Sequence, residues 1–192
     1  MSDALRKTMT LDEFLAWEER QTTRYEFDGF EPVAMTGGSY AHGAVSMNLA
    51  RELGTRLRGT RCRPHGSNFK LLTGTTVRYP DAFVSCRPYA NGDTVGRDPV
   101  VIFEILSPST AGTDRIDKLR EYTSLPSVRR YVLLEQDRIA ATVLERADGR
   151  WITAVLTDDA VLHMPEIGVE VPLADLHDGV TFEPAPTGDD AD

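Results

Sequence analysis

Apolar positions recur along this chain at two spacings, and each spacing predicts a different element. In "MTLDEFLAWEER", Leu11, Phe14, Leu15 and Trp17 form a helical stripe. Thr10 with Glu13 three residues on reads as a capping box, so a helix is expected to open there. From Tyr40 to Arg58 the set Val45, Leu49, Leu53 and Leu57 keeps helical spacing, and Gly59 follows as a stop signal. A third helix is expected over 114–123, with Thr113 as its cap and Pro126 beyond its end. Strand patterns lie between and after these helices. "RYEFDGFEPVAM" reads as a hairpin turning at Asp28-Gly29, and "IAATVLERADGRWITAVL" as one turning at Asp148-Gly149. "SNFKLL", "TTVRYPDAFVSC", "PVVIFEILS" and "VRRYVLLEQD" are short apolar runs bounded by Gly, Pro and Asn. The order predicts an α/β protein, a mixed β-sheet flanked by α-helices, in a single domain. The run at 99–107, the helix after it and the strand at 129–135 form a plausible βαβ crossover, which sets that run near the sheet centre.

One position breaks the pattern. Glu104 sits inside "VVIFEILS", where a lone carboxylate is expensive. Asp81 stands at the head of the preceding run, just after Pro80. Two acids on successive core strands, with a backbone carbonyl and waters, would make a hard oxygen-only site suited to Mg²⁺. The alternative is a buried Glu satisfied by an arginine or by backbone amides. No cluster of His or Cys offers a zinc site. Leu106 shares a face with Glu104, so no charge follows the acid at that spacing. Three lysines exist, Lys7, Lys70 and Lys118. Lys7 is on a frayable end, which leaves Lys70 and Lys118 as candidate catalytic amines. Asp114 to Lys118 would also serve as an ordinary surface pair four residues apart.

Charge and cysteine content change the picture modestly. The net charge of −9 is concentrated at one end, because 151–192 carry ten acids and no Lys or Arg. The stretch 41–78 holds seven basic residues against one acid, Glu52. Arg51, Arg56, Arg58, Arg61 and Arg63 therefore form a basic run that could contact nucleic acid, or could simply be a solvated face. Cys62 and Cys86 have no metal spacing and read as reduced thiols of a cytoplasmic protein. No apolar run is long enough to span a bilayer. Residues 1–8 are expected to be flexible, 9–176 to form the domain, and 177–192 to be an acidic, partly disordered tail.

"YEFDGFEPVAMTGGSYAHG", "YPDAFVSC" and "VVIFEILSPSTAGTDRIDKLREYTSLPSVRRYVLLEQD" together resemble the Uma2 family. The resemblance covers roughly 8–176. It implies the restriction-endonuclease-like PD-(D/E)xK fold and a metal-dependent endonuclease acting on DNA. Members commonly lack the lysine two residues after the glutamate, and a helix lysine is thought to replace it. Here Leu106 and Lys118 repeat that departure. The resemblance assigns Asp81, Glu104 and Lys118 to catalysis, with Asp81, Glu104 and the Ile105 carbonyl holding Mg²⁺ or Mn²⁺. Glu26 and His42 match supporting positions. Glu135 differs from the Asp usual at its place. A homodimer is compatible with cutting two strands. An inactive nucleic-acid-binding module, or a structural or regulatory module on the same fold, remains the alternative reading.

Overall fold

The computed structural model describes residues 8–35, 37–106 and 112–182. Its elements run in the order α1 (Leu11–Glu18), β1 (Tyr25–Phe27), β2 (Pro32–Ala34), α2 (Tyr40–Arg56), β3 (Arg63–Gly66), β4 (Lys70–Thr73), β5 (Thr76–Arg78), β6 (Ala82–Ser85), β7 (Val95–Gly96), β8 (Pro99–Leu106), α3 (Gly112–Ser124), β9 (Arg130–Glu135), β10 (Ala140–Ala147), β11 (Arg150–Thr157), β12 (Val161–Met164), β13 (Val169–Pro172) and α4 (Leu173–Leu176). The capping box of α1 is present, with the Thr10 hydroxyl and the Glu13 carboxylate each accepting the other's backbone N–H. The Asp148-Gly149 turn has positive φ at both residues, 48° and 75°, which is the twist a two-residue hairpin requires. α3 starts two residues before the expected Asp114; the proposed Thr113 side-chain cap lies outside the described residues.

Two main sheets carry the fold. One has the order β2-β1-β5-β4-β7, and the larger has the order β11-β10-β9-β8-β6-β3. β8 is interior, antiparallel to β6 and parallel to β9, and α3 makes the crossover between β8 and β9. This is the expected βαβ unit. "TTVRYPDAFVSC" does not form one strand. β5 belongs to the smaller sheet and β6 to the larger, and the chain changes sheets across Tyr79, Pro80 and Asp81. β12, β13 and α4 were not expected; their apolar residues Leu162, Met164, Val169, Val171, Leu173 and Leu176 all enter the core.

The two faces of the larger sheet bury different layers. Val101, Phe103 and Ile105 of β8 pack beneath α2 with Val45, Leu49 and Leu53. Ile102 faces the other way, among Phe83, Tyr122, Tyr131 and Leu71. α1 closes the smaller sheet with Phe14 against Phe27, Val77 and Tyr79. Among the described residues, no helix is long and apolar enough to cross a membrane.

One expectation needs correcting. Cys62 and Cys86 are joined in a disulfide, not free thiols. Arg63 pairs with Ser85 across β3 and β6, so the two cysteines flank the same ladder and face each other. The free-thiol argument for a cytoplasmic location therefore falls away. A cross-link over a separation of 24 residues is worth about 3 kcal/mol through the unfolded chain. The double variant Cys62→Ser/Cys86→Ser is expected to lose that much in urea unfolding; an unchanged midpoint would show that the bond does not form in solution. The start of the expected tail, His177 and Asp178, is held against the domain, and 183–192 lie outside the described residues. The buried His177 ring bonds the carbonyls of Leu173 (2.9 Å) and Glu135 (2.8 Å), and Asn48 donates to the Asp178 carbonyl at 2.8 Å.

Candidate active site

Strand alternation decides where Glu104 goes. It shares a face with Ile102, so it points toward α3 and not into the core under α2. The last β6–β8 pair is Ala82↔Phe103, and one further step puts Asp81 directly across from Glu104 on that face. Like charges placed opposite each other in a sheet repel. The fold supports each carboxylate with several partners. Asp81 accepts the Ile105 N–H at 2.7 Å on one oxygen and lies 3.2 Å from His42 Nε2 with the other. Glu104 accepts the Tyr122 hydroxyl at 2.9 Å and lies 3.6 Å from Lys118 Nζ.

α3 supplies these partners by helical spacing. Lys118, Glu121 and Tyr122 fall on one face, toward the sheets. Lys118 also lies 3.4 Å from Glu26, so its ammonium sits between two acids. Glu26 is buried opposite Arg78, one step beyond the pair Phe27↔Val77. It accepts from Arg78 Nη1 at 3.2 Å and from the Tyr79 N–H at 3.0 Å. Arg78 forks onto Glu121 as well, at 2.7 and 2.6 Å. It thereby ties the smaller sheet to the helix that carries Lys118. His42 is set by the start of α2, where the Ser39 hydroxyl accepts its N–H and donates to Gln136 at 2.5 Å.

The electrostatics follow from burial and crowding. Burial pushes the Glu104 carboxyl up to about 7; Lys118 draws it down, and Asp81 and Glu26 push it further up. The hydrogen bond to Asp81 raises the His42 imidazole above its ordinary value, against the opposing effect of burial. Tyr122 is held well above its usual value, first by burial and then by Glu104. Glu104 is therefore close to half-protonated near neutrality, and a cation would favour its charged form.

The structure brings Asp81, Glu104, Lys118, Glu26 and His42 together. Lys70 is elsewhere, buried and paired with Glu18, whose other oxygen accepts the Tyr79 hydroxyl at 2.6 Å. The arginine run is not part of this cluster. Arg56 is fourteen residues along α2 from His42, a rise of about 21 Å. Arg51 and Arg56 pair with Glu52, and Arg56 also donates to the Glu170 carbonyl at 2.7 Å. Arg58, Arg61 and Arg63 are exposed. Ser107, Ser109 and the Asp114 side chain lie outside the described residues. Sequence reasoning missed Arg78 and the role of Tyr122. The signal for Arg78 was the same as for Glu104, a charge inside a strand-like apolar run.

Among the described residues, no group of three or more His, Cys, Asp or Glu side chains is disposed to hold a metal ion. The side chains alone thus offer a two-carboxylate site, which suits Mg²⁺, an ion that keeps several waters and substrate oxygens. The N–H and C=O of one strand residue point to the same side, so the Ile105 carbonyl shares the side on which its N–H meets Asp81. The donor set is oxygen only and fits a hard divalent cation.

Comparison with known proteins bears on the family and the fold. An uncharacterized protein of Synechocystis sp. (strain ATCC 27184 / PCC 6803 / Kazusa), slr1290, is 30% identical over 175 residues, covering 89% of this chain and 92% of its own. A second from the same organism, sll1609, is 29% identical over 138 residues, covering 69% and 78%. The crystal structure of a "putative nuclease belonging to DUF820" from Anabaena variabilis ATCC 29413 superposes with a TM-score of 0.72 at 19% identity, covering 88% of this chain and 97% of that one. It shows that the fold is shared. The sequence profile of the Uma2 family, described as "Putative restriction endonuclease", matches residues 11–174. That is most of the chain, and the protein belongs to the Uma2 family.

Proposed function

We propose that this protein is a metal-dependent endonuclease that hydrolyses phosphodiester bonds in DNA. The observation that carries the reading is that Asp81 accepts the Ile105 N–H at 2.7 Å, one residue from Glu104, with the Lys118 ammonium 3.6 Å from that second acid. Structural ion pairs do not need two acids aligned on one sheet face. A catalytic cation does.

Asp81, Glu104 and the Ile105 carbonyl would hold Mg²⁺ or Mn²⁺. Such an ion supplies Lewis-acid stabilisation of charge on a phosphate oxygen and acidifies water. The chain's own residues do the rest. The Ile105 N–H fixes one Asp81 oxygen and leaves the rotamer little freedom. Tyr122 orients Glu104 from below. Lys118, held between Glu26 and Glu104, presents a positive charge to an incoming phosphate and stabilises the charge that develops on it. His42, with its raised pKa, can hold a proton beside Asp81 and give it to an anionic oxygen. Glu26 acts through Lys118 as a positioning residue.

Cleavage of supercoiled plasmid and of a labelled single-stranded oligonucleotide, at low salt with Mg²⁺, Mn²⁺ or EDTA, tests the proposal. Cutting is expected with either metal and not with EDTA. Lys118→Met is expected to cut about 10²- to 10³-fold more slowly, the usual cost of one lost charge-stabilising donor. Equal cutting in EDTA, or full activity of Lys118→Met, would remove the assignment.

A further inference from the structure

A cleft whose lining residue Gly66 pairs with Ala82, the neighbour of Asp81, is used by none of the steps above. Its volume is about 680 Å³, within the size range of small-ligand sites. His65, Phe69 and Tyr89 line it, with Asn68, Asp93 and Thr94 supplying polar groups. Their rings form one cluster with Phe83. The His65–Phe83 centroids are 4.8 Å apart and stacked, and Tyr89 stands edge-on to both His65 and Phe69 at 5.2 Å. His65, Phe69 and Tyr89 stay half-exposed, whereas Phe83 is fully buried.

The platform is built, not incidental. The Tyr89 hydroxyl donates to the Arg97 carbonyl at 2.5 Å and accepts the Arg97 N–H at 2.8 Å, and Arg87 meets Asp98 at 2.7 Å. Both ends of the 87–98 loop are thereby pinned. Gly96 permits the close approach, since a Cβ there would fall 2.6 Å from the Phe83 ring. Burial lowers the pKa of His65, so its ring is neutral at physiological pH, and its buried Nε2 has no hydrogen-bond partner among the described residues.

Register fixes the cleft's relation to the acids. His65 pairs with Phe83 and Gly66 with Ala82 across β3 and β6. His65, which lines the cleft, stands diagonally across from Asp81, itself two residues from His65's partner Phe83, at about 7–8 Å. That is close to the spacing of neighbouring nucleotides. Among the described residues, the lysine that lines the cleft, Lys70, is committed to Glu18, so the lining suits a flat neutral ring better than a phosphate.

We infer that this cleft receives an unpaired nucleobase of the strand whose phosphate lies at Asp81 and Glu104. Phe69 and Tyr89 provide the stacking surface, and the Asn68 amide faces the edge of the base. The inference rests on the nuclease reading. It adds to that reading a substrate class, single-stranded or locally opened nucleic acid, because bases inside a duplex are not available to stack on protein rings.

A single-stranded oligonucleotide carrying one 2-aminopurine is the probe, with binding read by fluorescence in EDTA and cleavage read in Mg²⁺. Wild-type protein is expected to quench the 2-aminopurine. Phe69→Leu is expected to lose the quenching and to raise KM on single strands about 5- to 150-fold, with kcat changing less than KM, as for one lost base stack. Phe69→Trp is expected to restore both, which separates stacking from misfolding. Cleavage of DNA with no quenching, or with the same KM for wild type and Phe69→Leu, would overturn this inference and leave the nuclease reading standing. Neither cleavage nor binding of any strand by wild type would overturn both.

Discussion

At pH 8, Glu104→Gln is expected to unfold at a higher temperature than the wild-type protein and to have lost metal-dependent cleavage. The two effects have one cause. Glu104 is ionised at that pH in a place that opposes its charge. Its carboxyl titrates at about 7 when folded, against an ordinary value of 4.5. Between those two pH values the folded protein binds more protons than the unfolded chain, so stability falls as pH rises through the window. The gap corresponds to about 3 kcal/mol. Part of that gain is offset in the variant, because Lys118 loses one of its acids. A net gain of about 1–3 kcal/mol, roughly 2–10 °C in Tm for a domain of this size, is expected at pH 8. It should shrink toward zero at pH 5, where wild-type Glu104 is protonated. Cleavage in Mg²⁺ should fall by about 10³-fold, the loss of several kcal/mol of charge stabilisation. A variant less stable than wild type at pH 8 would mean that the carboxylate is a structural ion-pair partner and not an acid held for a ligand.

Arg78→Met is expected to have the opposite signature, a large loss of stability. Arg78 is buried and shared between Glu26 and Glu121. Burial alone would lower its pKa, but Glu121 and then Glu26 more than offset this, and the guanidinium stays charged. Removing one member of such a network strands the others without compensation, at about 3–5 kcal/mol. A Tm lower by roughly 6–20 °C follows. Cleavage should fall too, measured well below the new Tm, because Glu26 then holds Lys118 less firmly. A loss under about 1 kcal/mol would show that the link from β5 to α3 is not structural.

The chain discloses its acids more readily than their surroundings. Asp81 and Glu104 stand out in the sequence because a carboxylate in an apolar run asks for an explanation, and Lys118 because lysines are scarce here. Their alignment across β6 and β8 is a matter of register, which no local pattern carries. Arg78 escaped because "TTVRYPDAFVSC" reads as one strand, while the chain leaves one sheet at Arg78 and enters another at Ala82. The same change of sheet puts Asp81 at a strand entry, free to turn its carboxylate toward Ile105. The cysteines misled for a similar reason. Their spacing says nothing about a partner, and only the pairing of β3 with β6 sets them face to face. Counting charges over 41–78 suggested a nucleic-acid surface. It did not show that Arg51 and Arg56 would be engaged by Glu52 and by the chain's acidic end at Asp175 and Asp178. The aromatic cluster was invisible for the opposite reason, since His65, Phe69, Phe83 and Tyr89 look like ordinary core residues until the loop pinned by Arg97 leaves three of them at a cleft.

On the proposed function, Glu104 stands in an apolar strand in order to hold a cation. Titration of Mn²⁺ into wild type, Asp81→Asn and Glu104→Gln, followed by calorimetry at pH 6 and pH 8, tests it most directly. The expected result is one site per wild-type chain, tighter at pH 8 than at pH 6 because Glu104 must give up its proton, and lost in both variants. Equal Mn²⁺ binding by all three proteins, or none by the wild type at pH 8, would contradict it.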